Sequence, residues 1–256
     1  MNKISKAFEG KKAFIAFITG GDPDIETTEK LISAMAESGV DIIEIGIPFS
    51  DPVAEGIVIQ QADERALCNG CTVDKLFEMV KRVRKTVEIP ILFMTYINPV
   101  FAYGKERFFE KCRDCGIDGI IVPDLPFEEK DELAHYCAAF GVTQISMIAP
   151  TSMERIEMIA ENAEGFLYCV SSLGVTGVRG EIGTSAAKMI SQVKKITSIP
   201  CAVGFGISTP EQAADVAKVS DGIIIGSAIV KLAAKYGREC IEPVKQFVKE
   251  IKGMIS

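Results

Sequence analysis

The chain holds a single histidine in 256 residues, and that scarcity excludes much chemistry. A catalytic zinc centre built on several imidazoles needs more of them. The one available, His135, sits in the helix-like segment EEKDELAHYC. The strand-like runs carry no lysine, which disfavours a Schiff base inside the fold. No apolar stretch approaches the ~20 residues of a membrane helix. The opening MNKISKAFEGKKAF lacks the apolar core of a secretion signal, so a cytoplasmic location is expected. A basic surplus is also missing: 28 Lys and Arg stand against 35 Asp and Glu, for a net charge of −7. Nucleic-acid binding needs a basic face, and the cluster Lys81, Arg82, Arg84, Lys85 reads as a solvated helix face instead.

Cysteine is plentiful, with eight residues, but without a secretion signal these read as reduced thiols. Cys68/Cys71 and Cys112/Cys115 are C-x-x-C pairs that would bind zinc if they met. The first reads as a turn before a helix and the second as the end of the next helix. They fall at opposite ends of an α/β unit, so no metal site is expected. Linkers, low-complexity tracts and composition shifts are absent as well, which predicts a single domain over 1–256.

What is present is an alternation of β-branched runs and amphipathic segments. AFIAFIT from Ala13, DIIEIGI from Asp41, IPILFMTYI from Ile89 and GIDGIIVPD from Gly116 read as strands. So do VTQISMIAP from Val142, GFLYCVSS from Gly165, IPCAVGFG from Ile199 and SDGIIIGS from Ser220. Eight βα repeats predict a (β/α)₈ barrel, because parallel strands need helical crossovers. An open doubly wound sheet would show a glycine-rich dinucleotide fingerprint after the first strand, where Thr19-Gly20-Gly21-Asp22-Pro23 stands instead. Extra helices are expected around Ile4–Phe8 and after Pro243.

In a barrel, function gathers in the loops after the strands. In DIIEIGIPFSDPVAEGIVIQ, Glu44 shares a strand face with Ile42. If Ile42 points into the barrel, Glu44 is a carboxyl among isoleucines with a raised pKa, suited to general acid/base work. A solvated strand-end glutamate is the alternative. Glu55 follows in a loop that could fold over the mouth. Gly204-Phe205-Gly206-Ile207-Ser208 and Gly226-Ser227-Ala228 end the last two strands. Paired glycine turns leading into helix N-termini are the recurrent phosphate site of barrels. Ser171 through Gly180 (SSLGVTGVRG) reads as a mobile lid.

Taken together, FITGGDPD, IEIGIPFSDP, MTYINPVFAYG, IVPDLPFEE, YCVSSLGVTG, VGFGIS and IGSAIVK closely resemble the α subunit family of tryptophan synthase, in order and from first strand to last. The resemblance implies cofactor-free retro-aldol cleavage of indole-3-glycerol phosphate to indole and glyceraldehyde 3-phosphate, and a β-subunit partner in an α2β2 complex. It implies that Glu44 moves protons between the glycerol hydroxyl and indole C3, with Glu55 as the second carboxylate and Thr176 orienting it from the lid. Gly177, Gly206, Gly226 and Ser227 match the phosphate backbone. Phe17, Ile59, Tyr96, Tyr168 and Phe205 match substrate-facing positions, and Asp51, Pro52, Asn98, Phe101 and Pro126 match the docking surface. The family commonly has aspartate where this chain has Glu55, and often proline where it has Ile57. Two other readings remain open: a weakly active docking subunit that activates its partner, and a different phosphosugar barrel enzyme.

Overall fold

The structure is a computed structural model that describes residues 3–170, 181–204 and 206–255. Nine parallel strands among these form one nearly closed barrel. They are β1 (Ala13–Thr19), β2 (Ile42–Gly46), β3 (Ile91–Met94), β4 (Gly119–Ile121), β5 (Thr143–Gln144), β6 (Ser146–Ile148), β7 (Leu167–Val170), β8 (Cys201–Gly204) and β9 (Gly222–Ile225). Their order around the sheet is β5-β4-β3-β2-β1-β9-β8-β7-β6, and helices surround them.

The count differs from the eight runs in the sequence because the fifth, VTQISMIAP, changes neighbour midway. Thr143 and Gln144 pair with Gly119 and Ile120 of β4, and the Ile145 N–H still reaches the Ile120 carbonyl at 2.9 Å. From Ser146 onward the run pairs with β7 instead. The ladder therefore passes from one side of the chain to the other within one residue. β2 and β3 are each followed by two helices rather than one: Ile57–Cys68 and Val73–Val83, then Ile97–Tyr103 and Lys105–Cys115.

Two apolar layers follow from the period-2 alternation of the strands. Ala13, Ile15, Ile42, Leu92, Ile121, Ile145, Phe166, Tyr168, Ala202 and Ile224 fill the barrel interior. The opposite faces, including Phe14, Ala16, Ile43, Ile45, Ile91, Phe93 and Val203, pack under the helices. The helix at Lys3–Lys6 and the turn after it close the bottom, where Ile4, Ala7 and Phe8 enter the interior layer and Phe8 lies 5.5 Å from the Phe166 ring. Asp41 stands at that end and accepts from the Phe14 N–H at 2.8 Å and from Lys252 at 2.6 Å, with Lys11 as a further partner. The closing helix runs Ile241–Ile255, so Pro243 lies in its first turn, where a missing N–H is tolerated.

Two local readings need correction. Arg84 is not on a solvated face: it turns in to donate to the carbonyls of Gly116 (2.8 Å) and Ile89 (2.6 Å), and it pairs with Asp118. Cys68 and Cys71 do not share a turn. Cys68 ends the helix Ile57–Cys68 and is exposed, whereas Cys71 is buried before the next helix. Cys112 and Cys115 are buried on another helix, and no cluster suited to a metal ion occurs among the described residues.

Candidate active site

A cavity of about 1000 Å³ opens at the C-terminal ends of the strands. Its walls include Phe17, Glu55, Ile59, Met94, Tyr168, Gly206, Ile207, Gly226 and Ser227, drawn from strands on both sides of the barrel. Tight spacing sets the two aromatic walls. A Cβ at Gly46 would lie 2.6 Å from the Phe17 ring, and one at Gly204 would lie 2.7 Å from the Tyr168 hydroxyl. Only glycine leaves these rings their places. The cavity also continues outward past β5 and β6 to Cys137, Ala138 and Ile159 on the surrounding helices.

Glu44 does point inward, level with Phe17 on β1 and Leu92 on β3. It is fully buried, and neither carboxylate oxygen has a hydrogen-bond partner. Desolvation alone pushes its carboxyl up to about 8 from an ordinary 4.5. Its solvated alternative is therefore excluded. Glu44 does not itself form the cavity wall: Phe17, Met94 and Tyr168 around it do. Tyr168 is near enough that Glu44, after burial, is the second influence raising its phenol.

The second carboxyl stands on the opposite side of that wall. Glu55 ends the loop of residues 47–56 and lines the cavity, immediately before the helix Ile57–Cys68 whose N-cap is Gly56. Burial raises its pKa, while hydrogen bonding to Asp63 and Tyr96 lowers it. Tyr96, expected against substrate, is instead buried behind this loop. Its ring packs 5.4 Å from Phe49, and its hydroxyl accepts from the Ala54 N–H at 3.0 Å. Asp63 went unremarked in the sequence although it carries a signal. It lies with Ala62 and Ala66 on the buried face of its helix, where a lone carboxylate is costly unless it has a task.

The cavity lining also combines Gly206, in the left-handed region at φ +77, with the start of the helix Ser227–Tyr236. Gly226 is that helix's N-cap, and its carbonyl accepts the Val230 N–H at 3.0 Å. The first N–H groups of a helix have no partner within it, and they form its positive dipole end, a setting suited to an anion. Lys231, one turn on, adds an ammonium to the lining. Of the remaining expected residues, Thr176, Gly177 and Phe205 lie outside the described residues. Asp51, Asn98, Phe101 and Pro126 are exposed and Pro52 half-buried. Val53, Ile57 and Phe101 are apolar side chains left open to solvent.

Comparison with known proteins shows the family. The family model for the tryptophan synthase alpha chain matches residues 4–255. The chain is 46% identical over 252 residues to the tryptophan synthase alpha chain of Lacticaseibacillus casei, covering 98% of this chain and 95% of the relative. It is 47% identical to that of Caldanaerobacter subterraneus subsp. tengcongensis, with 100% of both chains covered. Among solved structures, tryptophan synthase subunit alpha from Legionella pneumophila superimposes with a TM-score of 0.90 at 37% identity, covering 100% of this chain and 98% of the other. A chain of the tryptophan synthase α2β2 complex from Pyrococcus furiosus, described in terms of mutual activation, gives 0.88 at 37% identity, covering 95% and 98%. The chain belongs to the tryptophan synthase alpha chain family.

Proposed function

We propose that this chain cleaves indole-3-glycerol phosphate to indole and glyceraldehyde 3-phosphate as the α subunit of an α2β2 tryptophan synthase, working in the cytoplasm as one barrel domain. The observation that carries the chemistry is Glu44, a buried carboxyl whose oxygens have no partner, beside Phe17 and Tyr168 of the cavity wall. With its pKa raised toward neutrality, it can both take and return a proton at working pH. Glu44 gives its proton to indole C3 and, now ionised, removes the proton from the hydroxyl next to the ring; the C–C bond then breaks, its electrons returning to the ring as the aldehyde forms. Protonation at C3 places positive charge on the ring nitrogen, where the Glu55 carboxylate stabilises it. Phe17, Ile59, Tyr168 and Phe205 sandwich the ring. Gly177, Gly206, Gly226 and Ser227 hold the phosphate, and Thr176 orients Glu55 from the lid. Tyr96 acts on the substrate through Glu55.

The surface formed by Asp51, Pro52, Asn98, Phe101 and Pro126 receives the β subunit. Exposure of Val53, Ile57 and Phe101, which follow β2 and β3, supports this, since large apolar side chains left open to solvent mark an interaction surface. The test is indole release from indole-3-glycerol phosphate by the purified chain, with and without a β subunit. Indole release that disappears in Glu44→Gln is expected. A chain that binds a β subunit and raises its rate, yet releases no indole itself, would leave only the docking role.

A further inference from the structure

The pair formed by Glu55 and Asp63 is built in a way that the reaction alone does not require. Asp63 is 3% exposed, on the second turn of the helix that Glu55 introduces. Glu55 leaves its Oε2 buried with no donor, although the Asp63 carboxyl is within hydrogen-bonding reach. Two ionised carboxylates cannot donate to each other, and side by side in a desolvated pocket they cannot both keep a charge. A proton between them resolves both difficulties.

The surrounding groups decide which carboxyl carries it. Glu55 also has the Tyr96 hydroxyl within reach, and because that hydroxyl accepts from the Ala54 N–H, its own proton is free to be donated. Asp63 has one contact that favours ionisation, the Phe49 N–H. Against it stand burial, the Glu55 charge and the Asp22 carboxylate, which push the Asp63 carboxyl up to about 9. Asp22 is itself held by Arg65 through two bonds of 2.8 Å. The other titratable neighbour is Cys71, which faces Lys75 as well. Neither carboxyl forms a salt bridge among the described residues.

We infer that Asp63 is a positioning residue for the reaction: it remains a carboxylic acid and donates its proton to Glu55, holding that carboxylate ionised and aimed into the cavity. Two donors, Asp63 and Tyr96, then fix a side chain that is one methylene longer than the family's usual aspartate. The inference rests on the lyase reading for its kinetic consequence but not for its structural one. Asp63 touches no reacting atom and acts through Glu55.

Three full-length proteins test it: wild type, Asp63→Leu and Asp63→Asn. The asparagine amide keeps a donor toward Glu55, whereas leucine removes it. Carboxyl ¹³C NMR titration of the free chain reads the pair without any turnover. The Glu55 titration should move to higher pH by at least one unit in Asp63→Leu and by less in Asp63→Asn. With a β subunit present, kcat for indole release should fall at least tenfold in Asp63→Leu, with KM changing less, and Asp63→Asn should recover most of that loss. An unmoved Glu55 titration in Asp63→Leu overturns the inference, as do equal kcat values for the leucine and asparagine variants. Absence of indole from wild type would instead defeat the lyase reading, and the NMR result would still decide the role of Asp63.

Discussion

Replacing Glu44 by glutamine should make the protein more stable as pH rises while removing its activity. In the unfolded chain a glutamate ionises near its ordinary 4.5, whereas in the barrel Glu44 holds its proton up to about 8. The folded state therefore binds more protons between these values, and stability falls as pH rises. The loss begins near 4.5 and is complete above about 8. Each pH unit inside that window is worth about 1.4 kcal/mol. Integrated from pH 5 to pH 8, the wild type should lose about 3.5 kcal/mol that Glu44→Gln does not lose. Asp63, also raised, is common to both proteins and cancels in the difference. Urea unfolding followed by circular dichroism at pH 5, 6, 7 and 8 measures it. With a slope of about 3 kcal/mol/M, the gap between the two midpoints should widen by roughly 1 M across the series. Midpoints that run parallel over this range would show that Glu44 is solvated or paired in the native protein. Its use as a near-neutral acid/base would then lose its physical basis.

The proposed phosphate site gives a second expectation with two opposed readouts. Ser227→Asp places a carboxylate at the first turn of the helix Ser227–Tyr236, where the helix dipole favours it and unfolding temperature should hold or rise. The same charge should weaken binding of inorganic phosphate or glyceraldehyde 3-phosphate at least tenfold by calorimetric titration, and unchanged affinity would place the anion elsewhere. At the docking surface, Phe101 is exposed, so Phe101→Asp should weaken association with a β subunit in sedimentation while leaving phosphate affinity intact.

Much of this architecture is legible in the sequence because period-2 alternation and glycine turns are local properties. The run DIIEIGI shows that Glu44 shares a face with Ile42, and burial of Ile42 then decides where Glu44 points. What is not legible depends on who the neighbours are. Nothing in VTQISMIAP shows that its two halves bond to different strands, because pairing is decided by the partner's register. Arg84 looks like part of a basic helix face until the Gly116 and Ile89 carbonyls come within its reach. Tyr96 reads as a substrate residue, but its hydroxyl is engaged at Ala54 behind the Glu55 loop. Asp63 was visible as a charge on an apolar stripe with Ala62 and Ala66, yet its proton-sharing partner arrives from the preceding loop.

The handover at Ile145 has a mechanical meaning. Ladder bonds to β4 end where those to β7 begin, so the ring of strands is joined there by main chain rather than by a double row of hydrogen bonds. The sheet is thus a split collar whose two ends, β5 and β6, are consecutive in the chain. At that point the two ends are linked through the φ and ψ dihedrals around Ile145 rather than through a continuous ladder. The cavity crosses the wall at this same place, its lining running from Gln144 and Ser146 inside to Cys137 and Ile159 outside, so one seam in the ladder is also the gap in the wall.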